Sequence, residues 1–268
     1  MELIILQMKK TFYEAVLAAY DLLDAVIREC RFRRPRPINL TYFSEFISRF
    51  AGKGNERGFF FTLNQDLFIE RYHSAQKKPV IPGGINSPRF NIGSDKILVP
   101  EDFVKVPAEQ ELERHKKELR NLGHLYYVKL HGSYDFRDKN NQQKLVIGLY
   151  KDEQIQNEPI LAWYFHLFKE ALSLPERRLL IIGYGFRDPH INKVIVTSIM
   201  EKNLKIFIIN PRDPEDFRDV TLAGVGAQGD MIWEALAGYY PYTLADFFPE
   251  GTSPTQIYKN FETDFFHN

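Results

Sequence analysis

The sequence predicts an α/β fold, a parallel sheet covered by helices on both faces, and three observations carry that prediction. Four short segments, residues 59–62, 125–130, 179–182 and 205–209, are largely apolar without the alternation of a half-exposed strand. Helical patterns separate them. Each segment runs out into polar or glycine residues, and in open parallel sheets the loops beyond the strands' carboxyl ends are where ligands bind.

In chain order, Phe12, Val16, Leu17, Tyr20, Leu23, Val26 and Ile27 recur at helical spacing over residues 11–30, with Asp21, Asp24 and Arg28 between them. This is an amphipathic helix. Arg31, Arg33, Arg34 and Arg36 crowd with two prolines into residues 31–37, a composition that resists helix and sheet and reads as a solvated connection. A second helix follows over residues 41–50, with Tyr42, Phe43, Phe46, Ile47 and Phe50 on one face, and Gly52, Gly54 and Gly58 end it. Residues 11–58 thus form a helical segment before the strand at 59–62. Between 77 and 108 stand Pro79, Pro82, Gly83, Gly84, Pro88, Gly93, Pro100 and Pro107, too many breakers for long helices. With the charged helix expected near 109–122, this makes residues 77–122 an insertion or small subdomain.

The strand at 125–130 ends at His131-Gly132-Ser133. A helix is expected over 163–172 and a strand over 179–182. Asp188-Pro189 starts another helix, because Asp can cap and Pro suits the first helical position. Its buried stripe is Ile191, Val194, Ile195 and Ile199, and the last strand, 205–209, is stopped by Asn210-Pro211. Residues 1–268 read as one domain.

Composition narrows the function. With 44% hydrophobic and 26% charged residues over 268, the chain can bury a sizeable core. Lys plus Arg and Asp plus Glu both number 35, a balance that excludes a polyelectrolyte coating nucleic acid or anionic membrane. No sequence-specific nucleic-acid binding is expected, and the arginine cluster reads as a solvated loop before it reads as a phosphate site. Cys30 is the sole cysteine, so neither an intramolecular disulfide nor a cysteine-built zinc site can form, which suits a reducing, cytoplasmic setting. Residues 3–6 are too short an apolar run for a signal peptide, and no membrane helix is expected.

The candidate chemistry sits at the strand ends: Thr62-Leu63-Asn64-Gln65-Asp66, His131-Gly132-Ser133, Gly183-Tyr184-Gly185-Phe186-Arg187-Asp188 and Asn210-Pro211. Each has a plain structural alternative. Asn64 and Asp66 would cap a helix beginning near Leu67. His131 by itself reads as a hydrogen-bonded structural histidine, and Gly183 and Gly185 as the requirements of a tight turn.

Taken together, Thr-x-Asn-x-Asp after a buried strand, a later Leu-His-Gly, then Ile-Gly-Tyr-Gly-x-x-Asp-Pro and Ile-Ile-Asn-Pro occur in the order seen in sirtuin-like domains. The chain resembles the bacterial, zinc-less sirtuin-like branch from about Phe59 to Pro211, and residues 242–248 resemble the family's closing segment. The resemblance implies a Rossmann-like sheet that binds NAD, with no metal, and hydrolysis of NAD to nicotinamide and ADP-ribose as the effector of a bacterial antiviral system. It implies that Asn64 orients the nicotinamide ribose and the attacking water, that Asp66 lies in the nicotinamide pocket, and that His131 is the general base. Thr62 belongs to the same strand-end motif. Gly183, Tyr184 and Gly185, with Asp188, would lie near the adenosine ribose and phosphates, and Asn210 would contact the adenosine ribose.

The residue types suit this chemistry, because the glycosidic nitrogen of NAD is already cationic and nicotinamide can leave without a general acid. Support for an oxocarbenium-like ribose and delivery of water remain, and a neutral His131 imidazole can take the proton, a contribution of about 10²–10⁴-fold. The family's opening strand and Gly-Ala-Gly-x-Ser loop, which receive the pyrophosphate, have no match before Phe59, so the first strand and glycine loop are expected to be missing. Three other readings stay open: a non-catalytic NAD or ADP-ribose binding module, an assembly subunit partnered with a DNA-translocating ATPase of the HerA type, and a protein deacylase. The phenylalanines Phe247, Phe248, Phe261, Phe265 and Phe266 read as core or as subunit packing, and a homo-oligomer is expected. Gly224-Val225-Gly226-Ala227-Gln228-Gly229 has dinucleotide-loop spacing but follows only a weak strand at 219–222 and reads as a surface loop.

Overall fold

A computed structural model describes residues 2–30, 38–52, 56–85, 95–119 and 125–267, with the side chains of 2–10 and of Glu118 left aside. The arginine cluster at 31–36 lies outside the described residues. The elements run α1 (Glu2–Glu29), α2 (Leu40–Ser48), β1 (Gly58–Thr62), α3 (Phe68–Tyr72), β2 (Val104–Lys105), α4 (Glu109–Glu118), β3 (Leu125–Lys129), β4 (Gly132–Arg137), β5 (Gln143–Leu145), α5 (Lys151–Gln156) and α6 (Pro159–Leu172). They continue β6 (Arg178–Ile182), α7 (Pro189–Lys202), β7 (Lys205–Ile209), α8 (Pro214–Asp216), α9 (Ala227–Glu234), β8 (Leu236–Tyr240), α10 (Leu244–Phe247) and α11 (Gln256–Phe266). The α/β class expected from the sequence is what the chain adopts: parallel strands flanked by helices, consistent with a Rossmann-like arrangement. Two compact units divide it, Met1–Arg36 with Ser44–Tyr164, and Pro37–Phe43 with Phe165–Asn268.

In the first unit, β1 and β3 pair in parallel, Gly58 opposite Leu125 through Thr62 opposite Lys129. All five β3 residues are buried, as the unalternating sequence demands of a strand covered on both sides. Facing aromatics fill the ladder: Phe60 lies 5.4 Å from Tyr127, and Phe59 5.6 Å from Tyr126. The glycine- and proline-rich excursion contributes more than a loop. Val80 bridges Tyr126, and β2 adds a parallel edge to β4, which pairs antiparallel with β5.

The helix α1 departs from its simple amphipathic reading. Phe12, Leu23 and Val26 are exposed, whereas Asp24 is buried because Arg71 of α3 grips its carboxylate with two hydrogen bonds of 2.8 Å. A paired charge can occupy an interior position that an unpaired one cannot. Tyr13 and Tyr20 of the same face donate to Gln143 O and to Gln65 Oε1.

In the second unit, β6, β7 and β8 form a parallel sheet in that order, through the crossovers β6–α7–β7 and β7–α9–β8. Helices cover both of its faces. Phe207 of β7 meets Phe265 of α11 at 4.9 Å and Tyr240 meets Phe261 at 5.1 Å, while Tyr239, pointing the other way, meets Phe217 at 5.4 Å and Trp233 at 6.4 Å. Phe247, Phe248, Phe261 and Phe265 are all buried, so these C-terminal phenylalanines are core residues. The weak strand at 219–222 is instead helical, part of a wide turn over Phe217–Leu222 that leads into α9, and Gly229 lies inside α9 with Leu222 O against it. The glycine spacing there serves helix packing. Among the described residues no helix is long and apolar enough to cross a membrane.

Candidate functional site

Parallel pairing puts the ends of neighbouring strands on one edge, and each unit presents such an edge. In the first unit the edge belongs to β1 and β3. Leu130 N donates to Thr62 O at 2.9 Å, continuing the ladder one step past the strands. The Thr62 hydroxyl accepts the Asn64 amide at 3.0 Å, turning the chain out of β1 and leaving Asn64 exposed. Asp66 takes the Phe68 amide on Oδ1 at 2.8 Å, so one carboxylate oxygen holds the start of α3. The sequence alternative of a helix-start role is therefore visible at Asp66, while Asn64 points no side-chain bond into that helix.

His131 is buried at the corner between β3 and β4, and its carbonyl is held twice, by Gln65 Nε2 at 2.6 Å and by Val146 N at 3.0 Å. Gln65 is the joint. Its amide nitrogen also donates to Val146 O at 2.9 Å, its carbonyl oxygen accepts from Tyr20, and its main-chain oxygen takes Tyr134 N at 2.7 Å. The residue between Asn64 and Asp66 thus ties their loop to the His131 corner. The following Gly132 has φ +79°, and a Cβ there would lie 2.1 Å from Lys144 O, so no other residue fits.

Beneath this edge lies a polar cluster that sequence reasoning missed. Lys129, fully buried, donates to Glu70 Oε1 at 2.7 Å, to Ser133 Oγ at 3.0 Å and to the main-chain oxygen of Asp66. Ser133 in turn donates to Asp135 Oδ1 at 2.6 Å, and Tyr127 to Glu70 Oε2 at 3.4 Å. Burial pushes the Glu70 carboxyl above the usual carboxylate range, although Lys129 pulls it down; burial and the nearby carboxylates push Tyr127 well above the usual phenol value. A lysine inside an otherwise apolar strand was the available signal, because such a charge is tolerated only when paired.

In the second unit the edge belongs to β6 and β7, whose last residues, Ile182 and Ile209, are register partners. Gly183 follows with φ +66° and nothing within 4 Å of the position a Cβ would take; at Gly185 the nearest atom is Arg187 Cγ at 4.0 Å. Between Gly185 and α7, Phe186 adopts a left-handed φ of +54°, held by Asn192, whose Nδ2 donates to Phe186 O at 2.8 Å. Tyr184 packs on Phe186 at 4.6 Å and donates to Asn192 Oδ1 at 2.8 Å. Burial raises the Tyr184 phenol above its usual range, so it stays a donor. Asp188 occupies the N-cap of α7 with Pro189 next, as expected, but its carboxylate makes no hydrogen bond to the helix amides. Asn210 continues the β7 ladder through Tyr240 O at 3.1 Å and turns the chain by accepting Arg212 N at 3.0 Å. Asn192 was hidden in a helical stripe otherwise read as apolar.

Thr62, Asn64, Asp66 and His131 thus share one edge, and Gly183, Tyr184, Gly185, Asp188 and Asn210 another. Parallel strands ending in polar and glycine loops define the class of α/β domains that hold ligands at their strand ends. The family model for the SIR2-like domain matches residues 58–228, well over half of the chain, from the first residue of β1 into α9. The protein belongs to the SIR2-like domain family, and that membership points to NAD-related activity. No curated protein matches the chain.

Proposed function

We propose that the protein hydrolyses NAD to nicotinamide and ADP-ribose, as an effector of bacterial antiviral defence. The observation that carries the reading is the β1/β3 edge, where an exposed Asn64 and a buried His131 are tied through Gln65. In the reaction the bond between ribose C1′ and the nicotinamide nitrogen breaks, its electron pair neutralising the cationic ring, and water adds at C1′. Asn64 orients the water and the ribose, an effect that can rival that of the base. His131 accepts the proton the water loses and passes it to solvent, which requires the neutral ring and makes activity fall on the acid side. Asp66 supports the positive charge that builds on the ribose.

The residues at the β6/β7 edge fit a dinucleotide. Gly185 has neither a positive φ nor a protein atom crowding its Cβ position, so nothing in its own unit requires glycine there. Bare backbone of this kind suits close approach by a diphosphate. On this reading Gly183, Tyr184, Gly185 and Asp188 hold the adenosine phosphates and ribose, and Asn210 the adenosine ribose.

Purified protein given NAD is expected to release nicotinamide, with release abolished in His131→Ala and in Asn64→Ala. Full turnover in both variants would overturn the assignment. Expression in phage-challenged bacteria should lower cellular NAD, and His131→Ala should not; equal NAD levels would remove the defence role.

A further inference from the structure

The buried cluster under the β1/β3 edge is costly to maintain unless it does something apolar side chains cannot. Replacing a buried ion pair by well-packed apolar residues is often neutral or stabilising, so stability alone does not account for Lys129 and Glu70. What an ammonium offers is three directional donors, and Lys129 uses each on a different segment: the Asp66 carbonyl in the β1–α3 loop, Glu70 on α3, and Ser133 at the start of β4. Lys129 and Ser133 lie two residues on either side of His131, so their 3.0 Å bond closes a clasp around that corner. The bond to Asp66 O draws the Asn64–Asp66 loop onto the same group.

We propose that Lys129, set by Glu70 and Ser133, is a positioning residue that locks the loop carrying Asn64 to the corner carrying His131. It touches neither substrate nor the reacting atoms. The proposal rests on the NAD-hydrolysis reading and specifies how that site is held. A clasp of this kind matters at the reaction step, because displacement of catalytic groups by about 1 Å can cost about 100-fold in rate. Substrate affinity should be little changed, since the adenosine half is assigned to residues remote from the cluster in the chain.

The test is the double variant Lys129→Met/Glu70→Leu, which removes both charges together and leaves neither buried without its partner. Thermal unfolding and NAD affinity are expected to stay as in the wild type, while kcat falls about 100-fold with KM unchanged. Hydrogen exchange supplies a readout independent of turnover. The amides of Leu130, Tyr134 and Val146, which bond Thr62 O, Gln65 O and His131 O, should exchange about tenfold faster, with those inside the β1/β3 ladder unaltered. Unchanged kcat with unchanged exchange would overturn the proposal, and so would an even loss of protection through the whole unit, which marks a structural role. If the wild type fails to cleave NAD, the functional reading falls while the exchange pattern still decides the clasp. Should the double variant not fold, Ser133→Ala removes one acceptor of Lys129 and the donor to Asp135 while leaving the bonds of Lys129 to Glu70 and Asp66 O in place, and about a tenfold loss in kcat is expected; wild-type kcat there would refute the proposal.

Discussion

The β1/β3 edge and the β6/β7 edge reach a similar arrangement, polar loops after paired parallel strands, by opposite physical means. At the first, side chains do the holding: Gln65 and Lys129 are buried, and their hydrogen bonds fasten main-chain oxygens of Asp66, His131 and Val146. At the second, backbone conformation does more of it, through a left-handed Gly183 and a left-handed Phe186 that Asn192 braces, over apolar strands. A loop fastened by side chains tolerates little change in the atoms around it. One shaped by its own dihedrals keeps open space beside it, as at Gly183 and Gly185.

The same substitution at the two edges gives the sharpest contrast. Gly132→Ala adds left-handed strain and drives a methyl against Lys144 O, where the main chain of β5 cannot yield cheaply, so a loss of about 2–5 kcal/mol is expected. Gly183→Ala incurs the strain without the clash and should cost about 1 kcal/mol. Urea unfolding of the two variants measures both. Equal losses would erase the distinction between an edge held by packing and one held by conformation.

An effect smaller than that of Gly132→Ala is expected at Asn192, a side chain that braces the second loop. Asn192→Ala removes one of the two acceptors of Tyr184, leaving Asp188 O at 3.3 Å, and the donor to Phe186 O, both buried or half-buried, at a cost of about 1–3 kcal/mol. If the loop serves the adenosine half of NAD, KM should rise while kcat holds. Steady-state kinetics checks this, and a fall in kcat alone would set the loop among the groups acting at the reaction step.

The fold was legible where periodicity and punctuation agree. The segment 205–209 reads as a strand because its run of Ile and Phe after Lys205 is cut by Asn210-Pro211, and the strand has those same ends. The helix after Asp188-Pro189 was equally plain. Harder to see were residues whose role lies in distant partners: Asp24 reads as a solvent-facing acid until Arg71, forty-seven positions later, is brought against it. Gln65 occupied an unspecified position in the strand-end motif, and Lys129 looked like a blemish in a buried strand. Both draw their meaning from the pairing of β1 with β3, which no local pattern encodes.

The least effect expected is a pH dependence confined to the side-chain-held unit. His73, just after α3, is buried with Nε2 3.0 Å from Lys77 O, and burial lowers its pKa below the usual 6.5, with Lys78 adding to the fall and the Lys77 bond opposing it. The unfolded chain therefore binds the proton more readily than the folded one. Stability is fully present above the unfolded value of 6.5 and is lost as pH falls from there through the lower folded value. Urea midpoints compared at about pH 7.5 and about pH 5 should drop on the acid side, and His73→Gln, which keeps a donor toward Lys77 O but cannot be protonated, should reduce that drop. An undiminished drop in the variant would remove His73 as the source of the acid sensitivity.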